Sequence, residues 1–130
     1  MKQPRWINRK ALLYLHSASL ATFGGSAGVR DEGLLDSALA RPQNRFLYVP
    51  ESDLFELAAS YGFGIAKNHP FIDGNKRAAI HSVGLFLSIN EYELVADQLD
   101  AIQTILKLAA GELSEENFAG WIRKNTKRQK

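Results

Sequence analysis

The stretch His69-Pro70-Phe71-Ile72-Asp73-Gly74-Asn75-Lys76-Arg77 places an imidazole, a carboxylate, an amide and two cations within nine positions. An apolar run, Leu54 to Ala66, leads into it, and a second, Ala78 to Ile89, leads out. Leu54, Leu57, Ala58, Tyr61 and Ile65 fall on one helical face, and Phe55, Ala59 and Ala66 cover much of another. In the second run Ala78, Ala79, Ile80, Val83, Leu85, Phe86, Leu87 and Ile89 leave few positions for water, which puts this helix at the domain centre. The nine residues therefore read as a polar loop held between two buried helices. The fold that follows is all-α.

Outward from the loop, each flanking segment carries helix start and stop signals. Asn8 caps a helix through Leu12, Leu13, Leu15, Leu20 and Phe23, with Gly24-Gly25 as its left-handed stop. Asp31 or Glu32 opens a short helix bearing Leu34, Leu35, Ala38 and Leu39, which Pro42 is expected to end. Residues 42 to 51 then form a proline-bounded connection in which Phe46, Leu47 and Tyr48 either present a docking surface or fold onto the core. Ser52 or Asp53 caps the helix before the loop, and Asp53 with Glu56 has capping-box spacing. Beyond Asn90, Asp97 caps a helix with Leu99, Ile102, Ile105, Leu106 and Ala109, stopped at Gly111. Ser114 caps the last, with Phe118, Trp121 and Ile122 facing in. About six helices result, in one compact bundle. No segment alternates with period two, and only Leu47 to Val49 is left for a short β-contact.

Composition agrees. With 130 residues the chain has room for one core, and 45% hydrophobic with 23% charged residues is globular rather than disordered. The absence of cysteine excludes disulfides and thiolate metal sites. No apolar stretch is long enough for a signal peptide or a membrane span, so a cytoplasmic protein is the expectation. The net charge of +2 is a property of one end: Arg123, Lys124, Lys127, Arg128 and Lys130 are five of sixteen basic residues. Residues 1–122, the helical domain, carry eleven basic against fourteen acidic residues. The tail, 123–130, reads as a solvated end rather than a nucleic-acid contact. Gly25 to Asp31 is glycine-rich but lacks the Lys-Ser/Thr ending of a phosphate-cradling P-loop, and reads as a connection.

The loop has its own chemistry. His69 precedes a proline, so its backbone is expected to be extended and the helix before it to end at Asn68. Phe71 is the natural anchor, and Asp73-Gly74-Asn75 is a turn that opens the next helix. Lys76 and Arg77 stand in that helix's first turn, where a positive side chain opposes the dipole by about 0.3–1 kcal/mol. A phosphate ligand accounts for them. Backbone N–H groups and Asn75 would meet its oxygens, Arg77 would grip bidentately and Lys76 would add a point charge. Asp73 would hold Mg²⁺ beside the phosphates or act only as a helix cap. Histidine titrates near neutrality as a residue type, so His69 would accept a proton from an incoming hydroxyl. Phosphoryl or nucleotidyl transfer and a well-satisfied turn are both open on this reading.

The motif HPFIDGNKR, residues 69–77, closely resembles the signature of the Fic/Doc family, and Lys76 gives it the form of the death-on-curing (Doc) toxin branch. Phe23-Gly24-Gly25, Gly28-Val29-Arg30-Asp31, Ala40-Arg41-Pro42-Gln43-Asn44 and Leu108-Ala109-Ala110-Gly111 also resemble that branch. The resemblance implies a compact helical bundle around the loop. It implies His69 as general base, Phe71 as loop anchor, Asp73 as the Mg²⁺ ligand, and Gly74, Asn75, Lys76 and Arg77 as the residues that bind ATP phosphates. AMP-transferring members usually have glycine in place of Lys76. The Doc branch implies instead transfer of the terminal phosphate of ATP to a serine or threonine hydroxyl of a translation factor, elongation factor Tu. Control by a cognate antitoxin protein is implied as well, because the self-inhibitory pattern has its nearest match at Ser52 to Glu56, which reads as a helix cap.

Overall fold

The computed structural model describes residues 3–129. Helix α1 spans Arg9–Phe23, α2 Glu32–Tyr48, α3 Leu54–Asn68, α4 Asn75–Ile89, α5 Gln98–Ala109 and α6 Glu115–Lys124. Two short strands, β1 at Tyr92–Leu94 and β2 at Thr126–Arg128, complete the order. The caps fall where local sequence puts them. Asn8, Asp31, Asp97 and Ser114 each accept a first-turn backbone N–H at 2.8, 2.9, 3.2 and 3.0 Å. Asp53 and Glu56 close a reciprocal capping box, so the Ser52 to Glu56 stretch is a helix start.

Helix α3 is the hub. Nine of its ten residues from Leu57 to Ala66 are buried, Phe63 alone being partly exposed, and α2, α4, α5 and α6 all pack on it. Gly62 makes this possible: a Cβ there would lie 2.9 Å from the Phe118 ring and 3.0 Å from Val83. Helix α4, expected at the centre, shares it. Its inner face of Ala78, Ala79, Ser82, Val83, Phe86 and Leu87 is buried, while its other face borders α5 and solvent. The N-terminal segment closes one end, with Trp6 stacked on Phe86 at 6.0 Å and the Ile7 N–H donating to the Tyr61 hydroxyl at 3.1 Å. Burial pushes the Tyr61 hydroxyl pKa up to about 12, against the opposing effect of the Ile7 hydrogen bond.

Two local expectations are overturned. Helix α2 does not stop before Pro42 but continues through it to Tyr48, with Pro42 buried. An interior proline costs about 3 kcal/mol or more, and the turn beyond it is held by tertiary contacts. Arg41 makes a bidentate pair with Glu115 at 2.7 and 2.8 Å, Arg45 pairs with Glu56 at 3.2 Å, and Phe46 packs edge-on against Trp6. Leu47 and Tyr48 are therefore helical rather than available for a β-contact, and both are exposed while Phe46 turns inward. The β-contacts form elsewhere. The basic tail is exposed at Arg123, Lys124, Lys127 and Arg128 and is also tied down: Thr126–Arg128 pairs antiparallel with Tyr92–Leu94, Lys127 lies 3.8 Å from Glu93, and Arg128 sits over the Tyr92 ring. Lys130 lies outside the described residues. Among the described residues no helix is long and apolar enough to cross a membrane.

Candidate active site

The nine-residue loop joins the end of α3 to the start of α4, and the two ends are built by opposite means. Helix α3 ends at Asn68, with His69 as its C-cap in the left-handed region, φ 49° and ψ 55°. The extended backbone expected of a residue before proline is not found, because the helix end dominates. The His69 N–H still donates to the Ile65 carbonyl at 3.2 Å, as a left-handed cap requires. A non-glycine residue held there costs about 1–3 kcal/mol, and the carbonyls around it are fixed from outside. Arg30 donates from Nε to the His69 carbonyl at 2.7 Å and from Nη2 to the Asn68 carbonyl at 2.8 Å. Its backbone N–H donates to the Pro70 carbonyl at 2.7 Å, and Ile72 N–H reaches the Gly28 carbonyl at 3.1 Å. Val29 and Phe71 thus form an antiparallel bridge, and the α1–α2 connection lies along the loop as a short template. The His69 side chain stays exposed.

Phe71 is the anchor its type foretells, with only 1% of its surface exposed. It lies flat on the His16 ring, centroids 3.8 Å apart. Asn75 corrects an expectation. Its carboxamide accepts from the Phe71 N–H and donates to the Phe71 carbonyl, both at 2.9 Å, so the side chain closes the loop on itself instead of facing a ligand. The reason is geometric: an amide one helical turn past a buried anchor satisfies both backbone groups that the anchor buries.

The start of α4 is left open. Gly74 is its N-cap in the left-handed region, φ 74°, with no side-chain cap, and there is no acidic residue in the first turn. The first helical hydrogen bond is Ala78 N–H to the Gly74 carbonyl, so the earlier N–H groups lack intrahelical acceptors. A side chain at Gly74 would also crowd the His16 ring, 3.1 Å from a Cβ placed there. Asp73 is exposed, its carboxylate fixed by the N–H groups of Gly74 at 2.8 Å and Ser26 at 3.2 Å. Gly25, at φ 122°, lets that approach happen, because a Cβ would meet Asp73 Oδ2 at 2.9 Å. Lys76 and Arg77 are exposed, and among the described residues neither forms an ion pair. Arg77 is steadied instead by the Phe23 ring, 4.1 Å below its guanidinium.

His69, Ile72, Asp73, Gly74, Asn75, Lys76 and Arg77 line one recess of about 370 Å³. The pattern of an exposed imidazole, one fixed carboxylate and an uncapped helix start with two cations suits an anion of several oxygens. Matching this arrangement, the sequence agrees with the model of the Fic/DOC family over residues 6–87. The chain belongs to the Fic/DOC family. It is 35% identical over 120 residues to the protein kinase doc of Escherichia phage P1, an alignment covering 92% of this chain and 94% of that one. It is 44% identical over 82 residues to the toxin Doc of Mycolicibacterium smegmatis, which covers 62% of this chain and 63% of the relative.

Two site residues escape motif reading in this Fic/DOC chain. Arg30 falls in Gly28-Val29-Arg30-Asp31, a stretch that resembles the family without assigning this residue a role. His16, 4% exposed, supports Phe71 and Gly74 from α1, with both ring nitrogens lacking a protein partner. Its pKa is lowered by burial and by His81, against an opposing pull from Asp73. His81, one turn beyond Arg77, is lowered by burial and by the Arg77 charge. A signal for His16 exists: it follows Leu12 by four residues, on the face that α1 buries.

Proposed function

We propose that this protein is a Doc-type toxin acting as a protein kinase, which moves the γ-phosphate of ATP to a serine or threonine hydroxyl of a translation factor, elongation factor Tu. A cognate antitoxin protein restrains it in the cytoplasm. One observation carries the reading: exposed His69 and the open, cation-bearing start of α4 share a single recess. The names carried by the phage P1 and M. smegmatis relatives support it.

In this reading ATP phosphates rest against the first free N–H groups of α4, from Asn75 onward, where Gly74 leaves room for their approach, with Lys76 and Arg77 balancing their charge. Asn75 contributes indirectly by keeping the loop closed. Asp73 suits Mg²⁺: it is a single exposed carboxylate, held in place by the N–H groups of Gly74 and Ser26. That is the donor set of an ion that keeps waters and completes its shell with substrate phosphates. Bound there, Mg²⁺ would supply charge neutralisation on the phosphates. His69 accepts the proton of the target hydroxyl as that oxygen bonds to the γ-phosphorus. The bond from that phosphorus to the β–γ bridging oxygen breaks, and ADP leaves with the electron pair.

Labelled ATP provides the test. With elongation factor Tu present, γ-label is expected on the factor and α-label is not. Transfer of α-label would replace the reading with AMP transfer at the same site. Transfer of neither would reduce the recess to a non-catalytic binding surface.

A further inference from the structure

The backbone at His69 is held by a residue outside the nine-residue loop. His69 sits in a left-handed conformation that the end of α3 favours and the following proline does not. Arg30 meets the two carbonyls that flank this turn with the two arms of one planar guanidinium, at 2.7 and 2.8 Å. Its own N–H takes the next carbonyl, that of Pro70, at 2.7 Å. Arg30 therefore meets three consecutive carbonyls, of Asn68, His69 and Pro70, the last of which also accepts from the Asp31 N–H at 3.2 Å. The Asn68 side chain is held separately, donating to the Leu34 carbonyl at 3.0 Å, so the end of α3 is pinned to the start of α2 on both sides. A guanidinium aimed at the carbonyl end of a helix is also favourable for the dipole.

We infer that Arg30 is the positioning residue for His69, setting the direction in which the imidazole leaves α3 toward the recess. It touches no substrate and acts through the backbone. The inference rests on the proposed function for its kinetic readout and on backbone geometry for its second. A lysine at this place would bring the charge but not the fork, so the two carbonyls would no longer be held together.

The experiment compares the full chain with Arg30→Met and Arg30→Lys. Arg30→Met is expected to lower kcat for γ-phosphate transfer by about 100-fold, the order that a misplacement of about 1 Å brings. KM for ATP should stay within about two-fold, because the phosphate-facing start of α4 is untouched. Arg30→Lys should fall between, near a ten-fold loss. In parallel, native-state hydrogen exchange at the His69, Phe71 and Ile72 amides should speed up by about ten-fold or more in Arg30→Met, with Phe86 and Ile122 unchanged. Wild-type kcat in Arg30→Met overturns the inference. So does a loss of kcat with equal acceleration at Phe86 and Ile122, which would mark Arg30 as a general stabiliser. Should Arg30→Met not fold, wild-type kcat in Arg30→Lys overturns it instead. Should the wild-type protein transfer no label, the proposed function fails. The exchange measurement then decides alone, and unaltered protection at the three amides overturns the inference.

Discussion

Helices α3 and α4 are both fifteen residues long and pack side by side, yet they begin in opposite ways. The start of α3 is closed. Asp53 accepts the Glu56 N–H at 2.8 Å, Glu56 accepts the Asp53 N–H at 2.9 Å, and each carboxylate is met by an arginine, Arg123 at 2.8 Å and Arg45 at 3.2 Å. The start of α4 has glycine at the cap, no acid in the first turn and two cations where the dipole disfavours them. One helix uses its positive end for its own stability; the other leaves it without a side-chain cap. That difference separates the structural half of the motif's surroundings from the functional half.

The sharpest way to break the comparison is at the group facing the open end. His69→Ala should lower γ-phosphate transfer by about 10²- to 10⁴-fold, the usual contribution of a general base. The exposed side chain makes no contact that the core needs, so the unfolding midpoint should hold steady. Transfer at the wild-type rate would remove His69 from the chemistry.

The closed end responds in the other currency. Asp53→Ala removes the cap and its pair with Arg123, and should cost about 1 kcal/mol of stability. Denaturant titration measures the loss, and transfer kinetics below the unfolding transition should not change. A drop in kcat without a drop in stability would mean that the α3 start reports to the site.

A smaller effect of opposite sign is expected at α4. Lys76→Gln removes an opposed charge and should raise stability by about 0.3–1 kcal/mol while weakening ATP binding. Lower stability in this variant would show that Lys76 is held by the fold rather than reserved for a ligand.

The gentlest probe is pH. His16 and His81 both have lowered pKa values, so unfolding releases groups that bind protons more readily than the native state does. Their contribution is fully present above the ordinary histidine value of about 6.5. It is lost as pH falls from there through the lowered native values. His16→Phe should flatten the acid limb of the stability profile, and an unchanged limb would move the effect to other groups.

Much of this organisation is legible in residue order because it is local. A cap needs only a side-chain oxygen and an N–H two or three residues on, which is why Asn8, Asp97 and Ser114 are legible outright, and Asp31 and Asp53 to within one neighbour. The anchor Phe71 and the open start at Gly74 are legible for the same reason. Pro42 misleads because its penalty is local while its compensation, the Arg41–Glu115 pair, joins residues far apart in sequence. Asn75 misleads because an amide in a polar motif reads as a ligand group until the depth of Phe71 is known. Residue order assigns no role to His16 or Arg30, although Arg30 lies in a family-like stretch; each matters through a contact with a residue more than thirty-five positions away.

By itself, then, the amino-acid order determines six helices, the side-chain caps that open five of them, one chemistry-dense loop and the family to which that loop belongs. Tertiary structure alone decides that α3 is the hub, that His69 is left-handed, that the Asn75 side chain braces the loop, and that the basic end folds back as β2. Helical period and capping are properties of neighbours along the chain, and they survive in sequence. Which carbonyl an arginine reaches, or which ring a histidine lies on, depends on how the helices cross, and spacing does not record that.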